Sequence, residues 1–373
     1  MMTPIDPNNI YVISAINLVS GGPLTVLNCV LASLCKDPAK KLNFYVFTSR
    51  GCVIDEELKK NATLHIIEMP WACKNLFTRL FFEYVYLYFW SRSRGIYLWL
   101  SLNDVSPNVV AKRRVVYFHN PSPFLPFKQM VLKHPLFVLY GFLYNLVYVF
   151  NVKKNDFVVV QQNWIARIVS KRYCPRRVIT ALPTEDNEIA ILPENQCHID
   201  VKSQFCFPAF PRFFKNYQVI GDAVILLNSM GYTDFSVTFT LNGNENKYSG
   251  IIKKKYGHLS QIKFVGLLSR PEMQRLYSQT HVLIFPSLLE TWGLPITEFK
   301  AYGKPMLVAE RPYARETVGR YASVCFFNPS NSHELADLMA RVIDKTIVYS
   351  GADVDDVYDC LNYDSLAKQI FSL

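Results

Sequence analysis

Phe285-Pro286-Ser287-Leu288-Leu289-Glu290-Thr291-Trp292-Gly293-Leu294-Pro295-Ile296-Thr297-Glu298 is the stretch that decides how this chain is read. The apolar run Val282 to Phe285 predicts a buried strand, Pro295 suits the first position of a helix, where a missing N–H costs nothing, and Gly303 predicts that helix's end. Strand, turn and helix in this order make an α/β unit. They aim the amides of Gly293, Leu294 and Ile296 at one point, where the helix dipole adds about half a positive charge, and phosphate is the ligand such a point takes. Glu298, one turn into the helix, is placed to accept hydrogen bonds from a ribose, while Glu290, in the loop before the turn, faces the ligand's other end. An anion flanked by hydroxyls describes a nucleotide sugar; the competing reading is a pair of solvated, helix-capping glutamates.

The Glu-x7-Glu pattern behind a strand and Pro-Ser resembles the retaining glycosyltransferases of family 4, of the bacterial polysaccharide or O-antigen type. The resemblance implies an α/β protein of the GT-B fold, with two Rossmann-like doubly wound domains facing a central cleft. It implies that Glu290 contacts the transferred sugar and Glu298 the ribose. Gly293, with Leu294 and Pro295 beside it, would let the backbone approach the diphosphate. Trp292 stands where the family more usually has a small residue or phenylalanine.

At 373 residues the chain exceeds the size at which one hydrophobic core stops growing, so two domains are expected. We expect an acceptor-side domain at 1–190, a nucleotide-sugar domain at 200–355 and, by the resemblance, a helix at 356–373 that crosses back to the first domain. The proline-containing, charged stretch 184–201 is the expected linker. With 50% hydrophobic and 14% aromatic residues the composition excludes a disordered chain. Nine cysteines, never spaced Cys-x-x-Cys, point to free thiols in a reducing compartment, and no His-Glu-x-x-His occurs. No metal and no cofactor beyond the nucleoside-diphosphate sugar are expected. Met1 to Asn9 carries neither a basic region nor an apolar run, so no signal peptide is read there and a cytoplasmic protein is expected.

Charge is uneven: through Glu185 there are 22 Lys and Arg against 10 Asp and Glu, and beyond it 18 against 20. A basic half points to nucleic acid, an anionic membrane or a solvated face. No zinc-finger spacing, RNA-binding aromatic motif or recognition-helix pattern favours nucleic acid. The aromatic stretches Leu76 to Trp90 and Pro135 to Phe150 favour a membrane surface or a buried helix. Fifteen helical residues cover about 22 Å, short of the ~30 Å hydrocarbon core, so neither stretch is read as a span. Lys112-Arg113-Arg114, Lys153-Lys154, Lys171-Arg172 and Arg176-Arg177 would attract anionic lipid.

Ile10 to Ile16 predicts a first strand, and Pro23 onward a helix with Leu24, Leu27, Leu31 and Leu34 on one face. Gly21-Gly22-Pro23 then sits at the first strand-to-helix turn, where open α/β sheets leave room for ligand. The resemblance makes Gly22 a backbone contact to the donor diphosphate across the cleft. Val115 to Phe118 delivers His119-Asn120-Pro121-Ser122-Pro123-Phe124 at a strand end, and the prolines hold the loop extended. The family has a histidine at a similar place near the transferred sugar, which makes His119 the catalytic candidate of this domain. Asp104 and Asn120 are acceptor-binding candidates, although Asp104 also reads as a turn cap.

In the second domain, Arg212 and Lys215 stand at the entrance of a helix in which Val219, Ala223 and Leu226 or Leu227 share a face. By resemblance an arginine and a lysine here clamp the diphosphate and neutralise charge as the sugar leaves, at a spacing usually longer than three residues. Gly266 and Leu267, after the predicted strand Ile262 to Val265, are expected to meet the nucleobase through backbone groups. The implied reaction is transfer from a nucleotide-sugar donor to a glycan or lipid-linked acceptor, by front-face displacement. A nucleotide-sugar epimerase and a non-catalytic membrane-associated subunit remain as other readings.

Overall fold

The computed structural model describes residues 9–19, 21–35, 43–52, 54–55, 58, 64–124, 135–181, 202–351, 366 and 370. The expected linker at 184–201 and all but two residues of the expected C-terminal helix lie outside the described residues. The chain divides into two compact units, 1–186 with 358–373 and 187–357.

The first unit is a seven-stranded sheet in the order β3-β2-β1-β4-β5-β6-β7. Its strands are β1 Ile10–Ser14, β2 Asn43–Thr48, β3 Leu64–Glu68, β4 Ile96–Ser101, β5 Arg113–Phe118, β6 Phe157–Val160 and β7 Val178–Thr180. Every adjacent pair is parallel. Parallel strands are covered on both faces, which is why they read as unbroken apolar runs. Alternation assigns the layers: Tyr11 and Ile13 enter one core with Leu27, Leu31, Leu366 and Ile370, while Val12 enters another with Phe47, Phe82 and Trp99. The order reverses between β1 and β4, the topological switch point where such sheets bind ligand.

The first helix, Gly21–Cys35, begins two residues earlier than expected, so Gly22 lies in its first turn. The aromatic stretch from Leu76 is not one uniform helix. It runs as α-helix Leu76–Phe81, a π-turn segment Phe82–Tyr86, and α-helix Leu87–Ser91. Among the described residues no helix is long and apolar enough to cross a membrane, and the described cysteines are all free thiols.

The second unit repeats the plan with six strands in the order β10-β9-β8-β11-β12-β13. They are β8 Ser203–Phe207, β9 Phe235–Phe239, β10 Ile262–Phe264, β11 Val282–Phe285, β12 Met306–Ala309 and β13 Val324–Phe327, again all parallel. The switch point falls between β8 and β11, so the loops leaving those two strands open at the same sheet edge. Each unit is thus a Rossmann-like doubly wound sheet.

Candidate functional site

The loop leaving β11 carries the two glutamates. Gly293 caps the helix Leu294–Lys300 at φ +88°, a left-handed conformation open to glycine, and a Cβ there would sit 3.3 Å from the Phe285 ring. Trp292 is buried, its indole N–H donating to Thr297 Oγ1 at 2.9 Å, and its carbonyl accepts from the Thr317 hydroxyl. The larger residue at this position therefore anchors the turn. Two expectations are corrected. Pro295 takes the second helical position, because Leu294 opens the helix. The amide of Ile296 donates to the Gly293 carbonyl at 2.9 Å, so it is spent within the turn, and of the three amides expected to meet phosphate only those of Gly293 and Leu294 remain as candidates.

Lys215 reaches the same loop from the other side of the switch point. After β8 the chain makes a short 3₁₀ turn, Phe213–Lys215, and leaves it through Asn216 at φ +60°. The Asn216 side-chain amide donates to the carbonyls of Pro286 (3.3 Å) and Pro329 (2.8 Å), and Leu288 N donates to the Phe214 carbonyl at 2.7 Å. Those bonds lash the two loops together and bring Lys215 Nζ to 2.5 Å from Glu290 Oε1. The ammonium also faces the Phe285 ring, 5.9 Å from its centroid. The two side chains are 16% and 14% exposed, enough shelter to strengthen their attraction and enough opening to admit a ligand. An ammonium has three donors, so two remain for an incoming anion.

Glu298 is braced separately: the Tyr277 hydroxyl donates to its Oε2 at 2.8 Å. Burial, and then the Glu298 charge, push the Tyr277 phenol well above its usual range, so it remains a donor. Tyr277→Phe is expected to leave the unit folded and weaken nucleotide binding by up to about tenfold, the worth of one orienting hydrogen bond. A calorimetric titration that shows unchanged affinity removes Tyr277 from the site.

Arg212 is not drawn into this pair. Its side chain is exposed, with the guanidinium 5.8 Å from the Phe210 ring centroid and no ion pair among the described residues. The structure thus assembles one half of the expected clamp and leaves the other at the surface. Gly266, at φ +80°, turns the chain after β10 and leaves the Leu267 side chain 57% exposed. One cation was missed by sequence reasoning. Arg311, just past β12, has a buried Nε with no hydrogen-bond partner among the described residues. Nearby Tyr313, which donates to the Ser287 carbonyl at 2.7 Å, is pushed well above the usual phenol range by burial, then by Glu290, with Arg311 opposing. Position after a strand end would have flagged Arg311, had β12 been recognised.

In the first unit the structure joins the sequence candidates into one knot. Asp104, at φ +61°, places Oδ2 3.0 Å from His119 Nε2, while its Oδ1 accepts from His119 N (2.6 Å), Asn120 N (2.9 Å) and the Tyr148 hydroxyl (2.8 Å). The acceptor-facing reading of Asp104 gives way to a positioning one, because a buried carboxylate holding this many donors is turned inward. Asn120 is likewise occupied, its Oδ1 accepting from Ser122 N at 3.0 Å. His119 Nε2 faces the Asp104 carboxylate, and its Nδ1 is buried with no hydrogen-bond partner among the described residues. Glu83, in the π-turn segment, is also buried. Burial raises its carboxyl above the usual range despite Arg79 at 3.1 Å, and Asn103 links it at 3.3 Å to the switch point by donating to Ser14 Oγ at 2.7 Å.

Among the described residues no cluster of His, Cys, Asp or Glu is arranged to hold a metal ion.

Two parallel Rossmann-like sheets with the donor-type loop on the second define the GT-B glycosyltransferase fold, and known structures agree. The lipopolysaccharide outer core galactosyltransferase WaaB superposes with a TM-score of 0.62 at 15% identity, over 98% of this chain and 99% of that one. Anabaena Alr3699/HepE in complex with UDP and glucose superposes with a TM-score of 0.60 at 13% identity, over 97% and 95%. Residues 214–350 match the family Glycosyl transferases group 1. The O-antigen chain mannosyltransferase RfbU of Salmonella typhimurium is 27% identical over 119 residues, 32% of this chain and 30% of that protein. The chain spans about a third of the length of the curated relatives it matches.

Proposed function

We propose that this protein is a retaining glycosyltransferase that moves a sugar from a nucleoside-diphosphate sugar to a glycan acceptor, a lipid-linked intermediate of a bacterial polysaccharide, at the cytoplasmic side of the membrane. The observation that carries the reading is the Lys215–Glu290 pair, held between the loops that leave β8 and β11 in the segment matching Glycosyl transferases group 1. The UDP and glucose in the Anabaena relative support a nucleotide-sugar donor, and the polysaccharide context of WaaB and RfbU supports the acceptor class.

In this reading Lys215 and the amides of Gly293 and Leu294 take the diphosphate and stabilise the charge that grows as the sugar–phosphate bond breaks. Arg212 swings from Phe210 onto the diphosphate when the donor binds. Glu290 holds the sugar, Glu298 the ribose, and the backbone at Gly266 and Leu267 the base. His119, braced by Asp104, is the first-unit residue this reading assigns to the reaction by its resemblance to the family's histidine. In this reading transfer with retention proceeds by front-face displacement, and cations of the chain neutralise the departing diphosphate. A thermal-shift panel of UDP, GDP and TDP tests the donor half. One of the three is expected to raise the unfolding midpoint of the wild type and not of Lys215→Ala, and no response to any of them contradicts the reading.

A further inference from the structure

Two stretches of the first unit carry apolar side chains that none of the described residues covers. On the helix Pro135–Val149, Leu139, Phe142, Leu143, Leu146 and Val149 are about half exposed, and Phe150 at its end continues them. Their spacing of three and four residues makes a single stripe, while Tyr148 on the other face is buried. Along the broken helix of residues 76–91, Phe77 is 83% exposed and Phe89 59%, with Leu76 and Phe81 beside them. The Tyr84 and Phe150 rings meet edge to face at 4.8 Å, which joins the two stretches into one surface. Exposed apolar surface on this scale marks an interaction face.

Charge says what covers it. Between Met69 and Asn155 the sequence has eleven Lys and Arg and two acidic residues, and both acids, Glu83 and Asp104, are buried. No described acid in this stretch meets solvent, whereas Lys74, Arg92, Arg94, Lys112, Lys153 and Lys154 are exposed. The helix Pro135–Val149 itself has no charged residue. An apolar row, tyrosines and exposed cations beside it in sequence match the interface of an anionic bilayer: rings and leucines enter the acyl boundary while Lys and Arg stay at the headgroups. A protein partner would have to offer acids at the fringe and oil at the centre; anionic lipid offers both in one plane. We infer that this face of the first unit seats the protein on an anionic lipid surface, as a peripheral contact and not a span.

The inference goes beyond the proposed reaction and is tested without nucleotide, so failure of either leaves the other standing. The full chain is sedimented with phosphatidylcholine vesicles, with and without phosphatidylglycerol. Wild type is expected to pellet with the anionic vesicles and to be released at about 1 M salt, where the Debye length is ~3 Å. Phe142→Asp with Leu146→Asp, and Phe77→Asp with Phe89→Asp, are each expected to lower the bound fraction about tenfold or more. Arg92→Glu with Arg94→Glu is expected to lower it about tenfold on anionic vesicles only. Unchanged thermal unfolding shows that the variants fold; where one does not, Leu143→Trp in the otherwise native chain reads the contact through quenching of the new indole by brominated anionic lipid. Wild type that ignores anionic vesicles, aspartate variants that pellet normally, or a Leu143→Trp variant whose added fluorescence is not quenched would overturn the inference. So would a dimer in sedimentation velocity that dissociates on Phe142→Asp, since the face would then belong to a second copy.

Discussion

Lys215→Ala is expected to lower sugar transfer by about a thousandfold while the protein stays folded, the loss typical when one preorganised electrostatic partner of a developing anion is removed. The geometry supplies the reason. Nζ lies 2.5 Å from Glu290 Oε1, so the lysine orients the carboxylate that would hold the sugar as well as facing the diphosphate. Removing it disturbs both ends of the bond to be broken. Glu290→Ala is expected to cost a similar factor and, unlike Lys215→Ala, to leave nucleotide diphosphate affinity nearly unchanged. Rates in excess donor together with calorimetric titration of the diphosphate separate the two roles. Turnover retained in both variants removes the pair from the reaction.

Asp104→Ala is expected to be the most destabilising single change in the first unit. It strands two backbone N–H groups and His119 Nε2 without their acceptor, and leaves the Tyr148 hydroxyl only its longer bond to the Asn120 carbonyl at 3.2 Å. Stranded buried donors of this number cost on the order of 3–5 kcal/mol, or a fall of ~10 °C in the unfolding midpoint. Alanine also fits poorly at φ +61°, a conformation asparagine and aspartate tolerate. Asp104→Asn is therefore the informative variant. It keeps an acceptor and the backbone conformation, yet one of its two positions becomes a donor, which disfavours the Nε2–H tautomer of His119. Near-native stability with a reduced kcat and an altered pH–rate profile is expected; a wild-type rate and profile would show that Asp104 only braces the loop.

The strand and turn around residue 290 were legible because parallel strands buried on both faces leave continuous apolar runs, and Gly-x-Pro punctuates the helix start. Central strand β4 escaped notice because Ile96–Ser101 follows the aromatic stretch 76–90 and shares its composition, so no change of period separates them. Strands β12 and β13 are apolar runs of the same four-residue length as β11, but they lack its Gly-x-Pro punctuation at the following helix, and with them Arg311 went unseen. The residue types of the site were readable, but its contacts were not. Glu290 and Lys215 are 75 positions apart, and the bonds of Asn216 and Leu288 across two loops bring them together. The inward turn of Asp104 depends on Tyr148, 44 positions on. The lost Ile296 amide is a matter of local turn geometry that spacing does not encode.

The direct measurement is of label transfer. The full chain is incubated with sugar-labelled UDP, GDP and TDP donors and a polyprenyl-linked saccharide, and both the labelled glycan and the anomeric configuration of its new bond are read. One donor is expected to yield labelled acceptor, with its starting configuration kept, in step with nucleoside diphosphate release, and Glu290→Ala to yield neither. An isomerised donor without transfer, or no turnover of any donor, contradicts the account.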